Sequence, residues 1–157
     1  MTASPIASSI KWSTEYVNTG AFQSSSWQNA IKDFDVSGNM TKIIQTANGN
    51  NSRYPAAYAA LNYAPSAAPT SKGKWTLPTA GILNSLYTNL NAINNAISKV
   101  GGTQLTGDNE HIWSSSEYDS SGAWVFCTDT GASRGGVSDY NKYDSLSDFV
   151  VRPVIEF

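Results

Sequence analysis

The chain has 157 residues, 40% of them hydrophobic and 14% charged, with ten basic against twelve acidic side chains and a net charge of −2. That length suits one domain burying roughly two thirds of its unfolded surface. The near-neutral balance, with basic residues spread along the chain, excludes the electrostatic footprint of a nucleic-acid binder and the polybasic stripe of a membrane-surface protein. A single cysteine, Cys127, excludes an internal disulfide and a multi-cysteine metal site.

In chain order, residues 1–25 read as a lead-in strand and loop carrying three separated large groups, Trp12, Tyr16 and Phe22. The opening MTASPIASSI lacks the basic and apolar regions of a signal peptide, so export or display would come through fusion or assembly. No window approaches the ~18 apolar residues of a membrane span. SSSWQNAIKDFD predicts a short helix with Ser26 as N-cap, because Trp27, Ile31 and Phe34 recur at helical spacing. The stretch from Ser37 to Tyr54 reads as loop at both ends with an apolar patch at Ile43 and Ile44. YPAAYAALNYA predicts a second helix with Pro55 in its first turn, and PSAAPTSKGK a loop.

The strongest periodicity begins at LPTAGILNSLY. Ile82, Leu86, Leu90, Ile93, Ile97 and Val100 step by three or four residues and predict one core-facing helical stripe, closed by Gly101 and Gly102. The pattern then switches: HIWSSSEY, AWVFCTDT and FVVRPVIEF are short, β-branched and aromatic. Helices first and strands last predict an α+β domain, two to three helices on a small antiparallel sheet, loop-rich, spanning 1–157 with 1–32 as lead-in.

Catalytic constellations are missing. The one histidine, His111, has no Gly-x-Ser-x-Gly elbow to serve and reads as a surface or capping residue. Cys127 has no basic neighbour in sequence and reads as a small half-buried or surface residue. The carboxylates Asp108, Glu110, Asp139, Asp144 and Asp148 do not follow a calcium-loop pattern and read as a solvated acidic loop. No phosphate loop or dinucleotide fingerprint implies a cofactor.

The segment Asp129–Phe149, DTGASRGGVSDYNKYDSLSDF, has neither helical nor strand periodicity, and two thirds of it is Ser, Asp, Gly, Tyr or Asn, the composition of binding loops. Its flanks carry Trp113-Ser-Ser-Ser-Glu117, Ala123-Trp124 and Val151-Arg152-Pro153-Val154 in order. With the upstream DVSGNMTKII and RYPAAYAALNY, they make residues 33–157 resemble the variable proteins of diversity-generating retroelements, in the branch of gut bacteria and their phages. The resemblance implies a C-type lectin fold of the formylglycine-generating-enzyme-like subclass, without enzymatic activity or cofactor, and a hypervariable region at 118–150. It implies Trp113 and Trp124 as core aromatics, and Glu117 and Arg152 as polar partners bracing the loops. The implied ligand-facing positions are Val125, Cys127, Asp129, Thr130, Ser133, Arg134, Gly135, Tyr140, Tyr143, Asp144, Ser145, Leu146 and Asp148, with Tyr140, Tyr143 and Leu146 as anchors. The implied partner is macromolecular, a bacterial cell-surface protein or glycan, met by a phage tail or a surface-displayed domain, as monomer or oligomer.

Adenine-directed mutation of an AAC or AAT codon can never yield Lys, Glu, Gln, Met or Trp. Between Tyr118 and Val150 only Trp124 and Lys142 belong to that set, against nineteen of the 117 residues before it, which is the deficit such a mechanism leaves. Two alternatives remain open. One is a fixed-specificity adhesin or glycan-binding domain on the same fold. The other is an enzyme of the formylglycine-generating type, whose paired cysteines this chain lacks.

Overall fold

The computed structural model describes residues 1–106, 110–127, 136–146 and 148–155. Among these the chain is α+β, with five helices, a mixed five-stranded sheet, a separate two-stranded sheet and no closed barrel. The short strand β1 (Ala7–Ser8) comes first, then helices α1 (Trp27–Ala30), α2 (Val36–Ala47) and α3 (Pro55–Asn62). Strand β2 (Trp75–Thr76), helices α4 (Ala80–Thr88) and α5 (Leu90–Lys99), and strands β3 (His111–Glu117), β4 (Gly122–Phe126), β5 (Val137–Asn141), β6 (Phe149–Val151) and β7 (Val154–Ile155) follow.

The large sheet runs β1-β6-β3-β4-β5. The expected antiparallel sheet is corrected at its centre, where β3 and β6 run parallel, Ile112 beside Val150. A parallel neighbour requires a long crossover, and here the β4–β5 hairpin and its following turn supply it. The apolar C-terminal run, expected as one strand, is divided. Arg152 and Pro153 carry the chain from β6 to β7, which pairs with β2 in the small sheet.

Strand alternation gives the large sheet two apolar faces. Trp113, Ala123, Val125, Phe149 and Val151 meet α2, α3, Trp12 and Tyr54 on one side. Ile112, Trp124, Phe126, Val137 and Val150 meet Leu83, Ile97 and Leu105 on the other. The sheet is thus the middle of three layers.

The predicted helices at Trp27 and Pro55 are present, with Ser26 and Pro55 at the expected positions. Helix α2 replaces an expected loop. Asp35 caps it by accepting from Gly38 N at 2.9 Å, and Asn39 is buried, donating to Asp33 Oδ2 at 2.7 Å and accepting from Phe22 N. The expected single stripe at 82–100 is also corrected. Asn89 breaks the run into α4 and α5, and its amide donates back to Ser85 O. Leu83, which lies off that stripe, is fully buried, whereas Leu86, Leu90 and Ile93 are half-buried and Val100 is 71% exposed. Gly101 closes α5 in the left-handed region (φ 69°), and Gly102 N donates to Ile97 O.

Three serines follow Trp113, and all are buried. The β3–β4 register shifts between Trp113 and Glu117, and the serines use the irregularity to reach neighbours. Ser116 Oγ donates to Asp33 Oδ2 and accepts from Ala80 N, while Ser115 N donates to Pro78 O. Trp12 Nε1 donates to Ser114 O at 2.7 Å. A polar seam therefore ties α1, α2 and α4 to the central strand, with its groups satisfied as burial demands.

Tyr54, at the start of α3, gives a titration signature. It is fully buried, and its hydroxyl donates to Glu15 Oε1 at 3.0 Å, beside the Arg53–Glu15 ion pair. Burial, then the Glu15 hydrogen bond and charge, raise its pKa well above the ordinary 10.0. The unfolded chain releases this proton above pH 10 and the native chain holds it, so the contribution is complete below pH 10 and is lost as pH rises further. Unfolding free energy measured from pH 8 to 11.5 should fall above pH 10, and Tyr54→Phe should flatten that fall.

Candidate ligand-binding surface

Strand β5 ends in a turn that carries described, solvent-facing residues of the segment singled out in the sequence. Asn141 organises it. Its Oδ1 accepts from Tyr143 N at 2.9 Å, and its carbonyl accepts from Asp144 N at 3.0 Å, closing a tight turn by the side-chain mimicry that favours Asn there. Strand β5 itself is an unforeseen element in that segment. Its sequence VSDYN is largely polar, but five consecutive residues pair with β4, from Gly122–Asn141 to Phe126–Val137. Gly136 begins it with φ 72°, and a Cβ there would lie 2.3 Å from Tyr87 Cγ, so the position admits only glycine.

Beneath the turn, Lys142 points inward and is completely buried. Its ammonium pairs with the equally buried Glu117, donates to Val17 O at 2.9 Å and Ser120 O at 3.2 Å, and lies 4.6 Å from the Trp12 ring centre. Burial pushes the Lys142 pKa down, against the upward pull of the Glu117 and Asp119 carboxylates. Glu117 also accepts from Thr19 N and Thr19 Oγ1. The backbone of Lys142 is tied on both sides as well, with Ser13 N donating to Lys142 O and Lys142 N to Ser121 O. One buried ion pair thus joins the N-terminal segment, the end of β3, the β3–β4 connection and the turn.

Above it, Tyr143 lies half-buried against the N-terminal segment. Its ring meets Tyr16 edge-on at 4.4 Å, its hydroxyl donates to Thr14 O at 2.7 Å, and Lys11 Nζ sits 5.2 Å from its centroid. Tyr16 is 53% exposed and exchanges hydrogen bonds with the Asn141 amide. Asp144 and Ser145 are half-buried, and Leu146 is 68% exposed. Tyr140 is half-buried, its ring 5.3 Å from Phe149 and 4.7 Å from His111. Asp148 Oδ2 accepts from His111 Nδ1 at 2.7 Å.

The expected ligand-facing set therefore separates. Tyr140, Tyr143, Asp144, Ser145 and Leu146 come together on the turn and its approach, and Asp148 sits on its return into β6. Val125 and Cys127 do not belong with them. Both are buried, because their alternation on β4 puts them on the Trp113 face of the sheet. Asp129, Thr130, Ser133, Arg134 and Gly135 lie outside the described residues, as does Asp108. His111, expected at the surface, is buried: its ring stacks on Phe149 at 5.1 Å, and its Nε2 has no hydrogen-bond partner among the described residues. Glu110 is not a solvated acid either; its carboxylate is bound by Arg152, whose guanidinium also donates to Ala3 O and Thr103 O. The local sequence did not mark Tyr16, Lys11 or Asn141 for this surface, and only the distant pairing of Tyr16 with Tyr143 assembles them.

The surface can present phenol rings, hydroxyls, carboxylates and one isobutyl group on a backbone fixed from below. No group of three or more His, Cys, Asp or Glu able to hold a metal ion occurs among the described residues, and none of their helices is long and apolar enough to cross a membrane. No family model, curated protein or solved structure matches the chain.

Proposed function

We propose that the chain is a non-enzymatic recognition domain of C-type lectin fold whose C-terminal surface is diversified by a retroelement and binds a macromolecule on a bacterial cell. Phage-tail or cell-surface display, by fusion or assembly, belongs to the same reading. The observation that carries it is the fate of the two residues between Tyr118 and Val150 that adenine mutagenesis of an AAC or AAT codon cannot create. Trp124 and Lys142 are both buried framework, Trp124 within the second core cluster and Lys142 on Glu117. Their exposed neighbours Tyr143, Asp144, Ser145 and Leu146 all belong to the reachable set. Both unreachable residues are thus interior and the exposed turn is built of reachable ones, although reachable types also fill interior positions such as Ala123, Val125 and Phe126. A turn free to vary over a fixed framework lets affinity change while stability does not.

The turn is suited to this task. Tyrosine offers a large contact area at low entropy cost, and small polar neighbours adapt their hydrogen bonding. The tyrosines are the residue type enriched among binding anchors, and Leu146 adds exposed apolar area beside them.

The test is to sequence this gene from many members of one population. Differences should gather at Tyr140, Tyr143, Asp144, Ser145 and Leu146, with Trp124 and Lys142 constant. Identical copies, or differences scattered through the core, would overturn diversification and leave a binding domain of fixed specificity.

A further inference from the structure

A second concave site lies at the opposite end of β6. It is a groove of about 730 Å³, inside the ~300–1,000 Å³ range of small-ligand sites, and none of its lining residues falls between 118 and 150. The N-terminal residues close one side, where Thr2 N donates to Pro153 O; α3 and β2 form the other, through Asn62, Tyr63 and Trp75.

Three features define what the groove accepts. First, no charged side chain among the described residues lines it, which disfavours phosphates, carboxylates and amines as ligands. Second, it holds two aromatic rings, Tyr63 and Trp75, edge to face at 5.2 Å, and the indole is held in place by donation from Nε1 to Ser71 Oγ at 2.8 Å. A fixed aromatic surface takes up apolar C–H area, and its electron-rich face favours polarised C–H groups. Third, polar capacity on the wall is unused. Just beneath the wall, Thr2 Oγ1 is buried without a hydrogen-bond partner among the described residues. The Asn62 side chain, exposed at the end of α3, makes no hydrogen bond among the described residues.

We propose that this groove binds a neutral saccharide. A pyranose has one face of C–H bonds for the rings and a rim of hydroxyls for the exposed Asn62 amide, and it carries no charge for the groove to neutralise. The site is independent of the diversified surface and adds a fixed affinity to a variable one.

The test titrates the protein with cellobiose, lactose and maltose while following the indole N–H signal of Trp75 by NMR, assigned by its loss in Trp75→Phe. At least one disaccharide should shift that signal saturably. Asn62→Ala, an exposed change that leaves the fold intact, should weaken binding about fivefold or more, the loss of one hydrogen bond. Tyr143→Ala should leave it unchanged, which separates this site from the turn. No saturable shift with any of the three, a shift that survives Asn62→Ala undiminished, or a response to hexaproline in place of the sugars would overturn the proposal.

Discussion

Lys142→Met should lower the unfolding free energy by about 3–5 kcal/mol, the cost of leaving a buried charge without its partner. Glu117 is completely buried, and with the ammonium gone its carboxylate keeps, among the described residues, only Thr19 as a donor. In a domain of this size that loss moves the thermal midpoint on the order of 10 °C. The double change Lys142→Met, Glu117→Gln should recover more than half of it, because no bare charge remains and Gln still accepts from Thr19. Urea denaturation of the three variants gives the comparison. A single variant within 0.5 kcal/mol of the parent would mean that the pair does not secure the turn.

Trp113→Ala should cost about 3–5 kcal/mol, as large-to-small changes in a core do. The ring stacks on Phe149 at 4.7 Å and its Nε1 donates to Ile10 O at 2.7 Å, so the substitution opens a cavity and strands a carbonyl at once. Leu90→Ala, on the stripe that the sequence placed in the core, should cost only about 1 kcal/mol, because the side chain is half-buried and relieves little area on removal. Leu146→Ser, on the exposed turn, should fall within about 0.5 kcal/mol of the parent. Calorimetry of the three would rank interior, flank and surface.

Elements with local signals were legible in the sequence. Pro55 and its alanines marked α3, and the β-branched and aromatic runs marked β3 and β4. What failed depended on tertiary partners. Helix α2 contains Gly38, Asn39 and Thr41, weak helix formers whose cost is met by Asn39 binding Asp33 and Phe22. Strand β5 is polar because only its first residue is buried, so pairing with β4 makes it a strand and no alternation announces it. The stripe from Ile82 to Val100 was correctly periodic but assumed one helix axis, and the break at Asn89 brought Leu83 inward instead. On the candidate surface, the positions that the resemblance implied from Tyr140 to Leu146 come together on one turn and its approach. The local sequence could not show that Lys142 faces inward, because a lysine's default is solvent, or that Val125 and Cys127 lie on the inner face of β4.

The order of strands has a consequence for synthesis. The central strand β3 takes β6 as one neighbour, β6 takes β1, and Trp12, Thr19 and Ala3 find their partners at Ser114, Glu117 and Arg152. The ties Trp12–Ser114, Thr19–Glu117 and Ala3–Arg152 span from 98 to 149 residues, so the sheet closes only once β6 is available. Such topologies fold on the order of milliseconds to seconds rather than microseconds. A copy cut short anywhere before β6 lacks the strand that joins its beginning to its middle, and so cannot complete the large sheet.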